Sequence, residues 1–278
     1  MSSNAARATL AALYQARYGA DAAVPETTSP LIETLLNHRS VRAYLPDPVS
    51  DDALSAIIAA AQSASSASNL QAWSVVAVRD PARKARMAAW AGGQAHIEQA
   101  PLFLIWLADL DRLEQVAIKV GDTHAALDYL EMFEVAVIDA ALAAQNAVAA
   151  AESLGLGTVY IGALRNQPEA VAAELKLPPK VVAMFGLCVG TPDPAQPTSI
   201  KPRPPQRVVL HHEEYSRSAQ APGLDAYDAA MRAFYEAQHM KVRGTWSNHS
   251  AKRVRDAAAL MGRDQLVDAL KRMGFELK

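Results

Sequence analysis

The sequence predicts an α+β fold, and three features predict it. Helical and strand patterns are interspersed along the 278 residues, without the clean βαβαβ alternation and Gly-rich first turn of a doubly wound dinucleotide fold. Four short β-branched or continuously apolar runs, 74–78, 102–108, 158–161 and 181–189, read as strands. An Ala-rich run, 131–154, has no proline or glycine before Gly155 and reads as a long helix. Its apolar residues cover most of the circumference, so it should be buried on nearly all sides, in a core or a subunit interface.

The other elements follow in order. Residues 1–30 form an extension, with one amphipathic helix over 8–18 and a small, polar linker over 22–30 that holds two prolines. Residues 31–278 form the main domain. A helix over 31–37 leads into a basic segment. Pro46 and Pro48 break the chain, and Ser50 caps a helix over 51–63 whose first turn carries Asp51 and Asp52, where the macrodipole favours acids. Asp80 and Pro81 are the cap and first residue of another helix. The proline-rich stretch 192–205 is a loop or crossing arm, 208–212 reads as a short strand, and the chain from Leu224 onward reads as helices.

Composition narrows the function. A net charge of −2 and a pI near 6.4 give no overall field for nucleic acid or an acidic membrane surface. The single cysteine, Cys188, cannot form an internal disulfide and reads as a small core residue. The longest apolar stretch, 135–151, contains Asp139, Gln145 and Asn146 and is too polar and too short to span a bilayer. With no secretory signal, a cytoplasmic location is expected. The seven histidines lack metal-ligand spacing, so no metal site is expected, and no side chain stands out as a nucleophile or catalytic acid. That fits an enzyme whose cofactor carries the chemistry.

Five segments have the residues to hold a ligand, and each has a plain structural alternative. In His38-Arg39-Ser40-Val41-Arg42, alternation puts His38, Ser40 and Arg42 on one side, where Ser and Arg can bind a phosphate; a solvated basic turn is the other reading. The stretch 63–73 offers four serines, Asn69, Gln71 and Trp73 to a polar heterocycle, or is an ordinary polar loop. Gly92-Gly93-Gln94 is a turn whose Gln94 can reach a ligand. Over 154–165 a helix stops, a strand follows and Gly162 breaks it, which admits a flat ring close to the backbone or simply ends a core strand. Lys201-Pro202-Arg203 fixes two cations that meet either a phosphate or water.

Together and in order, these segments resemble the nitroreductase superfamily, in particular the oxygen-insensitive NADPH nitroreductase and flavin reductase P group. Further matching residues are Leu70-Gln71, Ala95-His96, Ala144-Gln145-Asn146, Glu152 to Gly157, Leu164-Arg165-Asn166, Phe185 to Cys188 and Thr245-Trp246-Ser247. The likeness runs from about Leu31 to the C-terminus. It implies a central, mostly antiparallel sheet wrapped by helices, in an intertwined homodimer with FMN at the interface. In that arrangement 208–212 extends the partner's sheet and 131–154 lies at the dimer core.

The resemblance also assigns roles. His38, Arg39, Ser40 and Arg42 would hold the FMN phosphate and ribityl chain, and Ser66, helped by Ser65 and Ser68, would contact the cofactor. Gln94 would hydrogen-bond the ribityl or ring region. Tyr160, Ile161, Gly162 and Ala163 would pass along the ring, with Ala163 standing where the family often has a second glycine. Lys201 and Arg203 would complete the phosphate site, and Arg243 and Arg263 are candidates for the nicotinamide nucleotide. The implied reaction is ping-pong: NADPH or NADH reduces FMN, then a small-molecule acceptor such as a nitroaromatic or quinone takes two electrons. The alternatives are an NADPH:FMN reductase that releases reduced flavin to a partner, and a non-catalytic flavin- or phosphate-binding module.

Overall fold

The computed structural model describes residues 3–20, 22–218 and 220–278. In chain order its elements are α1 (Ser3–Tyr18), α2 (Pro30–Leu36), α3 (Asp51–Gln62), β1 (Trp73–Val78), α4 (Pro81–Trp90), α5 (Ala95–Gln99), β2 (Leu102–Asp109), α6 (Asp111–Val120), α7 (Leu130–Ser153), β3 (Gly157–Ile161), α8 (Pro168–Leu175), β4 (Val181–Gly190), α9 (Ala221–Ala237), α10 (Trp246–Arg253) and α11 (Leu266–Arg272). They fall into two units. One comprises residues 1–39 and 198–260, the other 40–197 and 261–278.

The larger unit is built on an antiparallel sheet in the order β1-β2-β4-β3. β2 is buried along its whole length, and β4 is buried at all but Phe185. Helices cover both faces, so these strands read as continuous apolar runs rather than alternating ones. On one face Phe103, Ile105, Val159, Ile161 and Ala183 pack with Met87 and Ala88 of α4, Ile97 of α5 and Val171 of α8. On the other, Leu102, Leu104, Trp106, Leu187 and Val189 pack with α3 and α7. Each large apolar side chain so buried contributes about 1.5–3 kcal/mol. Gly186 is required where β4 crosses Phe103: a Cβ there would fall 2.2 Å from the ring.

Capping sets the helix starts. The Ser50 hydroxyl accepts from Ala53 N at 3.1 Å and the Asp80 carboxylate from Arg83 N at 2.7 Å. α7 buries Ala136, Ala140, Ala143, Ala144, Ala147 and Ala151, a helical stripe of small residues that lets the sheet and α3 approach closely. Within one chain burial is confined to that stripe; the sequence allowed the remaining face to lie in a subunit interface. The opposite face leaves Ile138 and Leu142 exposed, at 53% and 45%. At 24 residues α7 is also long and apolar enough to cross a membrane, which corrects the expectation of a run too short to do so. Here its buried stripe faces the sheet. Cys188 is fully buried in β4, and burial pushes its thiol up to about 12.

In the smaller unit, α1 packs with α2, and α9 with α10, where the Tyr227 and Trp246 rings meet at 5.3 Å. α1 begins at Ser3, earlier than expected. Within one chain the expected strand over 208–212 does not form; the resemblance puts its pairing on the partner's sheet. Gln206–Val208 is a single 3-10 turn, and Val209 and Leu210 are exposed. An extended segment needs a neighbour for its backbone hydrogen bonds, and none pairs with it among the described residues.

Candidate functional site

The larger unit positions the segment after Arg39 by laying it along β3. Ser40 bridges Thr158 in parallel, Val41 N donates to Thr158 O at 2.9 Å, and Tyr44 Oη donates to Val41 O at 2.7 Å. Val41 and Ala43 are buried and Arg42 is exposed, the alternation the sequence suggested. Gly157 makes this approach possible, because a Cβ there would fall 2.6 Å from Val41 Cγ2. The Arg42 guanidinium forms no hydrogen bond or ion pair among the described residues. Its charge reaches His96, whose pKa is lowered first by burial and then by Arg42. Gln94 sits at the start of α5 and donates from Nε2 to Ala91 O at 2.8 Å, while His96 Nε2 is buried without a partner among the described residues.

The serine-rich loop is held from beneath by a residue that sequence reasoning passed over. Asp139, 1% exposed, projects from the buried stripe of α7 and accepts from Ser66 Oγ at 2.7 Å, Ala67 N at 3.1 Å and Ala72 N at 3.1 Å. Ser66 Oγ in turn accepts from Gln71 N at 2.8 Å. The one donor of the Ser66 hydroxyl is thus committed to Asp139, so Ser66 shapes the loop rather than presenting a free donor to a ligand. Ser68, Asn69 and Gln71 all adopt left-handed backbone, with φ of 49°, 56° and 53°. Such strain persists only where the surroundings impose it. Ser65 and Ser68 point outward with hydroxyls that have no partner among the described residues. The signal for Asp139 was there to read: it is the one acid between Glu134 and Glu152 on an Ala-rich helix.

At the end of β3, Tyr160 is 39% exposed and its ring meets Phe185 edge-on at 5.4 Å. Ile161 is buried. At Gly162 the chain leaves the strand for a 3-10 segment through Asn166. The atom nearest the missing Cβ of Gly162 is Arg165 Nη2 at 3.4 Å. Arg165 donates to Met184 O, and burial holds its pKa below the ordinary arginine value. Ala163 is half-buried against the core. The turn before Arg263 comes close to this segment, with the Cβ position of Gly262 4.0 Å from Asn166 O.

The smaller unit gathers the remaining cations. Arg39 donates to Asn37 Oδ1 at 2.7 Å. The Lys201-Pro202-Arg203 loop joins His38 through Arg17 of α1, whose guanidinium donates to Leu36 O, His38 O and Lys201 O. Arg243 is exposed and forms no bond among the described residues, just ahead of the Thr245–Asn248 capping box that starts α10.

Two sequence profiles match this chain. The Nitroreductase family profile covers residues 35–191, and the profile of that family's C-terminal domain covers 201–278. The chain belongs to the nitroreductase family. Among curated relatives, an oxygen-insensitive NADPH nitroreductase of Salmonella typhimurium is 41% identical over 222 residues, 80% of this chain and 89% of the relative. An FMN reductase (NADPH) of Bacillus subtilis is 37% identical over 248 residues, 88% of this chain and 97% of the relative. Among solved structures, the NADPH:FMN oxidoreductase of Vibrio harveyi in complex with NAD+ superposes with a TM-score of 0.79 at 34% identity, covering 90% of this chain and all of that one. Nitroreductase A of Vibrio parahaemolyticus gives 0.81 at 33% identity, with 91% of this chain and all of that one covered. The α+β nitroreductase fold expected from the sequence is the fold observed.

Proposed function

We propose that this member of the nitroreductase family is an FMN-dependent NAD(P)H oxidoreductase that passes two electrons to nitroaromatics, quinones or related small acceptors. The observation that carries the reading is Arg42, a guanidinium with no partner among the described residues, on backbone that Gly157 and Thr158 hold fixed. Its forked donors suit a phosphate. The surrounding donors fit the rest of the group: exposed hydroxyls at Ser65 and Ser68, the Ser40 hydroxyl, and a strand end at Gly162 with no Cβ to keep a flat ring away. FMN, when bound, supplies the two-electron chemistry that no side chain here offers.

The chain's residues then bind and tune. His38, Arg39, Ser40, Arg42, Lys201 and Arg203 hold the phosphate and ribityl chain. Gln94 and the outward serines orient the ribityl and ring region, while Ser66 acts through the loop it shapes. Tyr160, Ile161, Gly162 and Ala163 border the ring. Positive charge near the ring's pyrimidine end favours the reduced, anionic form and raises its potential. Arg243 and Arg263 are assigned to the nicotinamide nucleotide, NADPH or NADH.

We further propose a homodimer. Ile138 and Leu142, one helical turn apart on α7, are both exposed, an apolar surface of the kind that a second copy covers. In the same reading residues 1–30 are an extension to a nitroreductase-like FMN-binding region over 31–278 with a helical C-terminal part, and the enzyme works in the cytoplasm.

A visible spectrum of the purified protein, before and after anaerobic NADPH with NADH in parallel, tests the function. Flavin bands that bleach with the reductant are expected. A colourless protein that takes up no FMN refutes the reading, and a yellow one that does not bleach points to a non-catalytic flavin module. The name of the Bacillus subtilis relative favours a second reading, an NADPH:FMN reductase that releases reduced flavin to a partner. Rapid exchange of the bound flavin with free FMN would select it.

A further inference from the structure

Arg17 lies near the end of α1, ahead of the residues matched by the family profile, which begin at 35. It is 5% exposed. A guanidinium carries five donors in one rigid plane. That plane here spans three backbone carbonyls: Nη1 donates to Lys201 O at 2.7 Å, and Nη2 to Leu36 O at 2.7 Å and His38 O at 2.8 Å. A return bond closes the arrangement, from Arg203 N to Arg17 O at 2.8 Å. One residue of α1 therefore sets the backbone at the base of His38, at Lys201 and at Arg203.

Docking a helix does not call for this. A buried charged group is costly to desolvate, and a well-packed apolar residue of similar volume often stabilises as well or better. What the guanidinium adds is a fixed spacing between two chain segments distant in sequence, and those segments carry four cationic or titratable side chains. Cations of like sign resist being held together by their own side chains. Fixing their backbones in advance lowers the ordering cost of binding an anion.

We infer, on the flavin reading proposed above, that Arg17 is a positioning residue: it presets the His38-Arg39 and Lys201-Pro202-Arg203 segments as a cradle for the FMN phosphate and makes α1 a working part of the cofactor site. The phosphate gives the test its discrimination, because riboflavin is the same ring and ribityl chain without it. Full-length protein stripped of flavin is titrated with FMN and with riboflavin, following quenching of flavin fluorescence. Wild type is expected to prefer FMN. Arg17→Ala is expected to cut that preference about tenfold or more while riboflavin affinity holds. Arg17→Lys keeps the charge but lacks the planar fork and should fall between the two. Leu10→Ala, which hollows α1 at a residue 1% exposed, controls for loosening of the helix: it should lower the Tm and leave the preference intact.

Wild-type preference in Arg17→Ala overturns the inference, as does equal loss in Arg17→Ala and Leu10→Ala. If Arg17→Ala does not fold, Arg17→Lys decides, and an unchanged preference there overturns it. A wild-type protein that binds riboflavin as tightly as FMN overturns the flavin-phosphate reading itself, a separate and recognisable failure.

Discussion

Replacing Arg42 with alanine separates binding from folding. The guanidinium is exposed and has no partner among the described residues, so its loss breaks no bond within the fold. The backbone beneath it stays fixed by Val41 N on Thr158 O, at 2.9 Å, and by the buried Val41 side chain. Stability of the flavin-free protein should therefore change by no more than about 0.5 kcal/mol. A charge-assisted hydrogen bond contributes about 1.5–3 kcal/mol. At about 1.4 kcal/mol per decade, FMN should bind about 10- to 150-fold more weakly. Because the contact is electrostatic and exposed, the deficit should shrink as salt is raised. The assay is a fluorescence titration of flavin-free protein at low and high salt, with urea unfolding of the same samples. A loss smaller than about threefold, under about 0.7 kcal/mol, refutes the placement of Arg42 at the phosphate.

Asp139→Ala leaves the Ser66 hydroxyl and two backbone N–H groups without their buried acceptor; urea unfolding should show a loss of about 3–5 kcal/mol, and a change below about 1 kcal/mol would mean the loop does not depend on that carboxylate. His96 titrates below the ordinary histidine value because of burial and Arg42, so the unfolded chain takes up a proton that the folded chain refuses. Its contribution to stability is present above about pH 6.5 and is lost as pH falls through the lower, folded value. Subtracting the pH–stability curve of His96→Gln from that of wild type should expose this loss; parallel curves would contradict it. Ile138→Asp combined with Leu142→Asp places two carboxylates on the exposed apolar face of α7 and should convert a dimer to a monomer in size-exclusion chromatography. A wild-type protein that already elutes as a monomer removes the basis for the proposed dimer.

Local signals carried much of this fold. Strands β1 to β4 follow runs whose β-branched and apolar content admits few other readings, and the caps at Ser50 and Asp80 mark helix starts within a residue. Where less was legible the cause is common: burial and pairing are decided by what lies opposite. Periodicity could not say that α7 packs one stripe of alanines and leaves Ile138 and Leu142 uncovered. Val208 to His212 has strand composition but no strand beside it among the described residues. At the candidate site, the segment 38–42 was legible through its alternation and charge. Asp139 left a signal, a lone acid on an Ala-rich helix, but its partners and those of Arg17 were not legible, because both act on backbone atoms far along the chain, 67 and 72 residues away for Asp139 and up to 184 for Arg17. A carbonyl acceptor has no letter in the sequence.

That last separation also sets an order of events. On a ribosome adding roughly 5–20 residues each second, Arg17 emerges about 10–40 s before the carbonyl of Lys201 that it will hold. Through that interval the earliest helix of the chain lacks one of its three carbonyl contacts and its bond to Arg203. The sheet and its flanking helices between residues 40 and 197 have by then been synthesised. The smaller unit is thus completed from its two ends in sequence, like a clasp whose first piece waits for the last, so a ribosome stall before residue 198 would leave α1 without its late contacts and open to proteases.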